Sequence, residues 1–231
     1  GRGFEALLGW FKTEGGLVFP DEFIPVAEDT GLIIPIGEWV LYEACRFSRA
    51  LMNEGFHGMI ISVNISVAQL RRKNIVGIIK GALEASAVPP ENLEIEVTES
   101  MFIDSFEMAI EVLDSIRALG VRISLDDFGT GYSSLVHLQR LPIANLKIDR
   151  LFINEVAKDT DENAMIPAII DLAHKLSLSV VAEGVETSIQ LDKLAANQCD
   201  YFQGYFLSRP MPGPQVVPFL RGERPQDPPA R

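Results

Sequence analysis

Carboxylate, amide and lysine side chains recur where short apolar segments of this sequence end. In chain order they are Glu5, Asn64, Glu96 with Glu99, Asp126 with Asp127, Lys147 with Asp149, Glu183 with Glu186, and Gln203. A cluster of such carboxylates repels itself unless protons or cations neutralise it. Oxygen ligands with no His or Cys among them suit hard ions such as Mg2+ or Mn2+ rather than zinc or copper. The pair Asp126 and Asp127 could place one bridging carboxylate between two ions about 3.5–4 Å apart, an arrangement that clamps the attacking and leaving oxygens in phosphoester hydrolysis.

Each of these residues also has a purely structural interpretation. Asn64 and Gln203 are residue types typical of turns and caps. Glu94 and Glu96 alternate with apolar residues, as on a strand with one solvated face. Asp126 and its neighbour precede a glycine-rich segment and could form only a turn, and the lysine could form only a salt bridge. The coincidence across several strand ends favours a functional cluster.

Alternation of short β-branched runs with helical periodicity predicts the elements that position the cluster. The predicted strands cover residues 3–10, 59–64, 93–98, 121–126, 144–148, 178–183 and 200–203. Periodicity predicts helices over 104–119 and 161–176, each with one apolar face. Another helix begins near Thr187, which has a capping-box partner, Gln190, three residues later.

This rhythm is typical of a (β/α)8 barrel of about 250 residues, in which the carboxyl ends of all strands meet at one face. Seven predicted strands are one fewer than a complete barrel, so we expect an N-terminal strand to be missing from this chain. We expect the barrel domain to cover residues 1–220 and the Pro-rich tail 221–231 to be disordered or a linker. The segment 12–36 is long for a βα loop and predicts a short helix over 22–29; it is compatible with a lid or with a surface elaboration.

Composition excludes several classes of protein. The 231 residues are 47% hydrophobic and 23% charged, which is ordinary for a folded domain. A net charge of -12 disfavours capture of polymeric nucleic acid or of an anionic membrane by a basic surface. Cys45 and Cys199 lack C-x-x-C spacing and indicate neither a disulfide framework nor a zinc site. We expect a cytoplasmic domain without direct membrane contact, whose parent protein could be membrane-anchored.

Several motifs resemble those of the bacterial EAL domain and occur in the family's order. They are Glu5-Ala6-Leu7 followed by Trp10, FIPVAEDTGLI (23–33), VNIS (63–66), EVTES (96–100), DDFGTGYSSL (126–135), LKID (146–149), AEGVET (182–187) and QGY (203–205). The resemblance implies an α/β fold, a TIM-like (β/α)8 barrel of EAL type whose first strand runs antiparallel and precedes the Glu-Ala-Leu strand. It also implies a phosphodiesterase that hydrolyses the second messenger cyclic di-GMP to the linear dinucleotide pGpG with the help of metal ions.

The resemblance further implies a role for each matching residue. The ligands of two ions, Mg2+ or Mn2+, are expected among Glu5, Asn64, Glu96 and Asp126 for the first and Asp126, Asp127 and Glu183 for the second. Lys147 is similar to a lysine that orients the nucleophilic water, so the expected catalytic residues are Lys147, Glu183, Asp126 and Asp127. The expected substrate-binding residues are Leu7, Gln203 and Glu186. Glu99 is similar to the glutamate that anchors the mobile loop 127–134.

Gly9 departs from the family pattern, in which an arginine at this position contacts a substrate phosphate. Losing a hydrogen bond from a charged donor costs about 1.5–3 kcal/mol, or roughly ten- to hundredfold in binding. Arg2 or Lys12 could substitute for that arginine. The departure leaves an alternative function open, that of a catalytically weak or inactive EAL domain acting as a cyclic di-GMP receptor or protein-interaction module.

Domains that this chain resembles commonly follow sensory or cyclase domains and often dimerise near the DDFGTGYSSL loop. The resemblance therefore implies cyclic di-GMP as the ligand, a homodimer, and fusion to upstream sensory or cyclase domains.

Overall fold

β-branched and apolar runs form a seven-stranded sheet, and the periodic segments between them form helices. The computed structural model describes residues 2–13, 15–102, 105–129, 135–156 and 165–223. The strands are β1 Gly3–Ala6, β2 Trp10–Phe11, β3 Leu17–Val18, β4 Ile60–Asn64, β5 Leu93–Thr98, β6 Arg122–Phe128, β7 Asn145–Ile148, β8 Ser179–Ala182 and β9 Tyr201–Phe202. The helices are α1 Pro20–Asp29, α2 Ile33–Asn53, α3 Val67–Leu70, α4 Ile75–Ser86, α5 Phe106–Ala118, α6 Leu135–Arg140, α7 Arg150–Val156, α8 Met165–Lys175, α9 Ser188–Ala196 and α10 Gly213–Leu220. Two short 3-10 helices cover Pro90–Asn92 and Glu99–Phe102.

The strands of the seven-stranded sheet pair in parallel, in the order β1-β4-β5-β6-β7-β8-β9. Apart from the β2–β3 hairpin, each strand therefore pairs with the next one along the chain after a helical crossover, as in a TIM barrel. This arrangement confirms the predicted α/β barrel. Strands β1 and β9 are the two edges of the sheet, and within the described residues no eighth strand lies between them.

The predicted helix faces are buried. Ala109, Leu113 and Ile116 of α5 are each at most 5% exposed and belong to one core that also includes the strands. The capping box before α9 is present. Thr187 Oγ1 accepts from the backbone N–H of Gln190, and Gln190 Oε1 accepts from the backbone N–H of Thr187. Residues 104 and 161–164 of the two predicted helices, and 224–231 of the predicted tail, lie outside the described residues.

The first predicted strand is too long. β1 ends at Ala6, and Trp10 belongs instead to an antiparallel hairpin with Val18. The Trp10 ring packs edge-on against Phe23 of α1 at 5.8 Å, so contacts with the inserted segment hold it away from the main sheet. The helix predicted over 22–29 is present and begins two residues earlier, at Pro20, which suits a first helical position.

None of the described helices has the length and apolar character needed to cross a bilayer.

Candidate active site

Lys147 of β7 lies at the centre of the predicted cluster. Its Nζ is 2.6 Å from Glu183 Oε1, 2.7 Å from Glu96 Oε2 and 3.2 Å from Asp126 Oδ2. Glu5 Oε2 is slightly farther, at 3.9 Å. The four carboxylates come from β1, β5, β6 and the residue after β8, so the parallel sheet gathers them from distant parts of the chain. The lysine side chain is 3% exposed, and its positive charge is therefore enclosed by negative ones.

Two amide side chains hold Glu5 in place. Asn64 Nδ2 donates to Glu5 Oε1 at 2.7 Å, and Gln203 Nε2 donates to Glu5 Oε2 at 2.6 Å. Asn64 ends β4, the neighbour of β1, whereas Gln203 follows β9 at the opposite edge of the sheet. The Glu5 carboxylate therefore joins the two edges of the barrel at the mouth of the cluster.

Burial shifts the proton affinities of this cluster. It raises the pKa of Glu96 to about 8 and that of Glu183 to about 7; the Lys147 charge opposes both shifts, and the charges of Glu5 and Asp126 add to them. Burial lowers the pKa of Lys147, but the four surrounding carboxylates outweigh burial and hold that pKa well above its usual value. The lysine is thus charged at neutral pH, while protons and negative charge are shared among the acids.

Asp127 faces a different neighbour from Asp126. Its backbone is left-handed, with φ of 54°, and its amide donates to Asp126 Oδ1 at 2.9 Å. Burial, the Asp126 charge and a hydrogen bond with Asp149 raise the pKa of Asp127 to about 6. The left-handed turn therefore separates the two carboxylates, with Asp126 beside Lys147 and Asp127 beside Asp149.

Glu99 contacts the start of the predicted mobile loop. Its Oε1 accepts from the Gly129 amide at 3.0 Å. Gly129 has φ of +98°, and a Cβ at this position would lie 2.6 Å from Phe152 Cε2, so only glycine fits the turn. Residues 130–134 of the loop, including Gly131, lie outside the described residues.

Two predicted substrate-binding residues stand apart from the Lys147 cluster. Leu7 follows β1 and is 59% exposed. Glu186 is exposed and lies two residues before α9, where its backbone amide donates to Gln190 Oε1 at 2.8 Å. Both lie beyond the carboxyl ends of strands, but neither is among the described side chains that pair with Lys147.

Arg2 does not lie beside the carboxylates where it could replace the family arginine. Its guanidinium donates to Asn145 Oδ1 at 3.2 Å and lies 4.1 Å from the centre of the Tyr201 ring. Asn145 precedes Lys147 by two residues on β7, so Arg2 lies below the carboxylate layer. Gly9 and Lys12 are exposed, the latter beside the hairpin.

The structural interpretation of Glu94 as a solvated strand residue is wrong. This carboxylate is 7% exposed and accepts from Ser62 Oγ at 3.0 Å and from the Asn145 amide. Glu94 precedes Glu96 by two residues, so both point to the inside of the barrel. A parallel barrel buries both faces of its strands, and this rule was the signal in the sequence that could have identified Glu94.

The donor set suits hard cations. The residues predicted to hold metal supply carboxylate and amide oxygens, and buried Glu183 Oε1 has no aligned hydrogen-bond partner although Lys147 Nζ lies 2.6 Å away. Among the described residues, however, no three Asp, Glu, His or Cys side chains surround one point at metal-binding spacing. The carboxylates converge on the lysine instead, whose ammonium occupies their common centre.

Comparisons with known proteins relate the chain to a family. The EAL domain family model matches residues 1–210. The chain is 46% identical over 215 residues to "Bifunctional diguanylate cyclase/cyclic di-GMP phosphodiesterase MucR" of Pseudomonas aeruginosa, covering 93% of this chain and 31% of that protein. It is 44% identical to "Signaling protein YkoW" of Bacillus subtilis, covering 94% of this chain and 27% of the relative. The chain thus spans about a third or less of the length of these curated relatives.

Solved structures share the fold. The structure "PaMucR Phosphodiesterase, c-di-GMP complex" superposes with a TM-score of 0.89 at 46% identity, covering 93% of this chain and 87% of that one. "Structure of EAL Enzyme Bd1971 - cAMP and cyclic-di-GMP bound form" superposes with a TM-score of 0.89 at 33% identity, covering 94% of this chain and 59% of that one.

Proposed function

Because the chain belongs to the EAL domain family, we propose that it is a metal-dependent phosphodiesterase that hydrolyses cyclic di-GMP to the linear dinucleotide pGpG. The observation that carries this proposal is the convergence of four carboxylates from separate strands on one buried lysine at the carboxyl ends of the barrel strands. The names of MucR and of its solved complex support the choice of cyclic di-GMP as substrate.

Charge explains why such a site needs cations. The substrate brings two phosphate charges to a mouth lined with carboxylates, and Coulomb repulsion would exclude it. We assign Glu5, Asn64, Glu96 and Asp126 to one Mg2+ or Mn2+ ion, and Asp126, Asp127 and Glu183 to a second. When bound, the ions would supply positive charge to the phosphodiester and acidify the attacking water.

The protein's own side chains position the reaction. Asn64 and Gln203 fix both oxygens of Glu5, which leaves that carboxylate little freedom to rotate. Glu96 and Glu183 release protons more readily once positive charge arrives beside them, since their raised pKa values reflect burial among other acids. The Lys147 ammonium donates hydrogen bonds and, in this assignment, orients the water for in-line attack on phosphorus. Leu7 and Glu186 are assigned to the substrate, at the rim of the site.

Incubation of the purified domain with cyclic di-GMP and Mg2+ or Mn2+ tests the proposal. We expect the linear dinucleotide to accumulate, and expect Glu5→Gln or Asp126→Ala to stop its formation without unfolding the protein. Glu54→Gln is a matched control, because Glu54 forms only a surface ion pair with Arg221 in the described structure. Failure of the wild-type domain to turn over substrate with either metal, or full activity of Glu5→Gln, would refute the assignment.

A receptor without useful turnover is the second candidate, favoured by Gly9. The described structure places neither Arg2 nor Lys12 among the carboxylates that contact Lys147, so the position of the family arginine has no evident substitute there. Equilibrium binding of cyclic di-GMP without product formation would select this function over hydrolysis.

We also propose a homodimer within a longer cytoplasmic protein that carries sensory or cyclase domains. The combined cyclase and phosphodiesterase name of MucR, of which this chain covers 31%, supports the additional domains. Buried free thiols at Cys45 and Cys199 suit a reducing compartment.

A further inference from the structure

A second polar layer lies directly beneath the carboxylate cluster. The residues two positions before the cluster residues on four strands are polar and buried; they are Ser62, Glu94, Ser124 and Asn145. The interior of a TIM barrel is usually filled by Val, Ile and Leu. Burying a carboxylate and an amide in their place is costly unless hydrogen bonds satisfy them, so this layer needs an explanation.

Hydrogen bonds connect the layer across the barrel. Glu94 of β5 accepts from Ser62 Oγ of β4 at 3.0 Å and from the Asn145 amide of β7. Asn145 Oδ1 accepts from Arg2 at 3.2 Å, and Arg2 stacks on Tyr201 of β9. The Arg2 charge thus reaches the buried carboxylate through one amide.

The contact between Glu94 and Asn145 repeats the geometry of the contact between Glu96 and Lys147 in the carboxylate cluster. Glu94 and Asn145 join β5 to β7, and two residues further along the same strands Glu96 and Lys147 form the 2.7 Å ion pair. Strand β6 lies between β5 and β7. Its Ser124, which is paired in register with Asn145, is fully buried and its Oγ has no hydrogen-bond partner in the described structure. Because the Ser124 side chain is small, it leaves space inside the barrel for the contact between Glu94 and Asn145 to pass over β6.

We propose that Asn145 is a positioning residue, which with Glu94 and Arg2 fixes the separation of β5 and β7 and thereby holds the Lys147 ammonium against Glu96. Asn145 does not touch the substrate in this inference; it acts through the lysine two residues away. The inference deepens the proposed function, and rests on it only for the effect on turnover.

Replacing Asn145 by alanine separates positioning from stability. Asn92→Ala is a matched control, because Asn92 is also a buried asparagine whose amide makes two hydrogen bonds, here to the carbonyls of His57 and Met59 outside the cluster. We expect both variants to lower Tm. Only Asn145→Ala should lower kcat, by roughly ten- to hundredfold, with KM for cyclic di-GMP within about twofold of wild type, since misplacement of a reacting group by about 1 Å can have such an effect.

A spectroscopic readout on the metal-free protein keeps the inference independent of catalysis. With nitrogen-labelled lysine, the ammonium resonance of Lys147, assigned by its loss in Lys147→Met, should shift or broaden in Asn145→Ala and stay unchanged in Asn92→Ala. An unchanged resonance in Asn145→Ala, or an equal change in both variants, would overturn the positioning role even if the wild-type domain proved inactive. If Asn145→Ala does not fold, Arg2→Met removes the outer end of the same contact, and the same two resonance outcomes decide.

Discussion

Lys147→Met removes the cation that the described structure places at the centre of the four carboxylates, and should make the stability of the fold depend on pH and on divalent metal. Breaking a buried ion pair by deleting one partner typically costs about 3–5 kcal/mol. Two of the carboxylates, Glu183 and Glu96, lie 2.6 and 2.7 Å from the lysine and are nearly buried. Whenever both are ionised in the variant, the full cost of leaving a buried charge without its partner therefore applies.

The penalty depends on pH because these acids can take up protons. Their pKa values are about 7 for Glu183 and about 8 for Glu96 with the lysine present, and removing its charge raises both further. Near pH 6 the acids are largely neutral in the variant, and we expect a loss at or below about 3 kcal/mol. Near pH 9 the acids must either ionise without a neighbouring cation or keep their protons against the high pH, and both are costly. The loss in free energy of unfolding should therefore approach about 5 kcal/mol.

Urea denaturation at both pH values, with and without Mg2+, measures this loss. Mg2+ should restore stability to Lys147→Met more than to wild type, because a cation replaces the missing charge, while turnover stays at least about 100-fold below wild type. Lys175→Met is the matched control, since Lys175 pairs with Asp171 on the surface and should contribute at most about 1 kcal/mol. Equal stability of Lys147→Met and wild type at high pH without metal would refute the electrostatic reasoning.

Three further perturbations have defined outcomes. The free energy of unfolding of the metal-free wild type should fall as the pH rises from about 5 to 9. In the folded protein Glu183 and Glu96 keep their protons up to about pH 7 and 8, whereas the unfolded chain releases them near pH 4.5. Denaturation that is independent of pH would contradict this prediction. Gly9→Arg should lower the Kd for cyclic di-GMP by roughly tenfold, measured by calorimetry, if the arginine supplies the missing charged hydrogen bond, and an unchanged Kd would show that the departure is neutral. Gly129→Ala should destabilise the fold by about 1–3 kcal/mol and reduce turnover, because the φ of +98° and the nearby Phe152 ring leave no room for a side chain. A Tm equal to that of the wild type would show that alanine causes no strain at this position.

The sequence by itself determined the parallel α/β architecture and the positions where chemistry-bearing residues stand. Strand alternation has a period of two residues and helix faces a period of 3.6, so both are local signals that survive without tertiary information. The capping box at Thr187 is local for the same reason.

Only the tertiary structure decided which side chains meet. Glu5 and Gln203 are hydrogen-bonded although 198 positions apart. In the described part of the chain, the Lys147 ammonium occupies the centre of the carboxylates, and no three acidic side chains surround one point at metal-binding spacing. The solvated interpretation of Glu94 fails because alternation shows that the two faces of a strand differ in polarity, but not that a barrel buries both faces. Which residues face one another across a barrel depends on the register and curvature of all strands together, and no short segment of the chain contains that information.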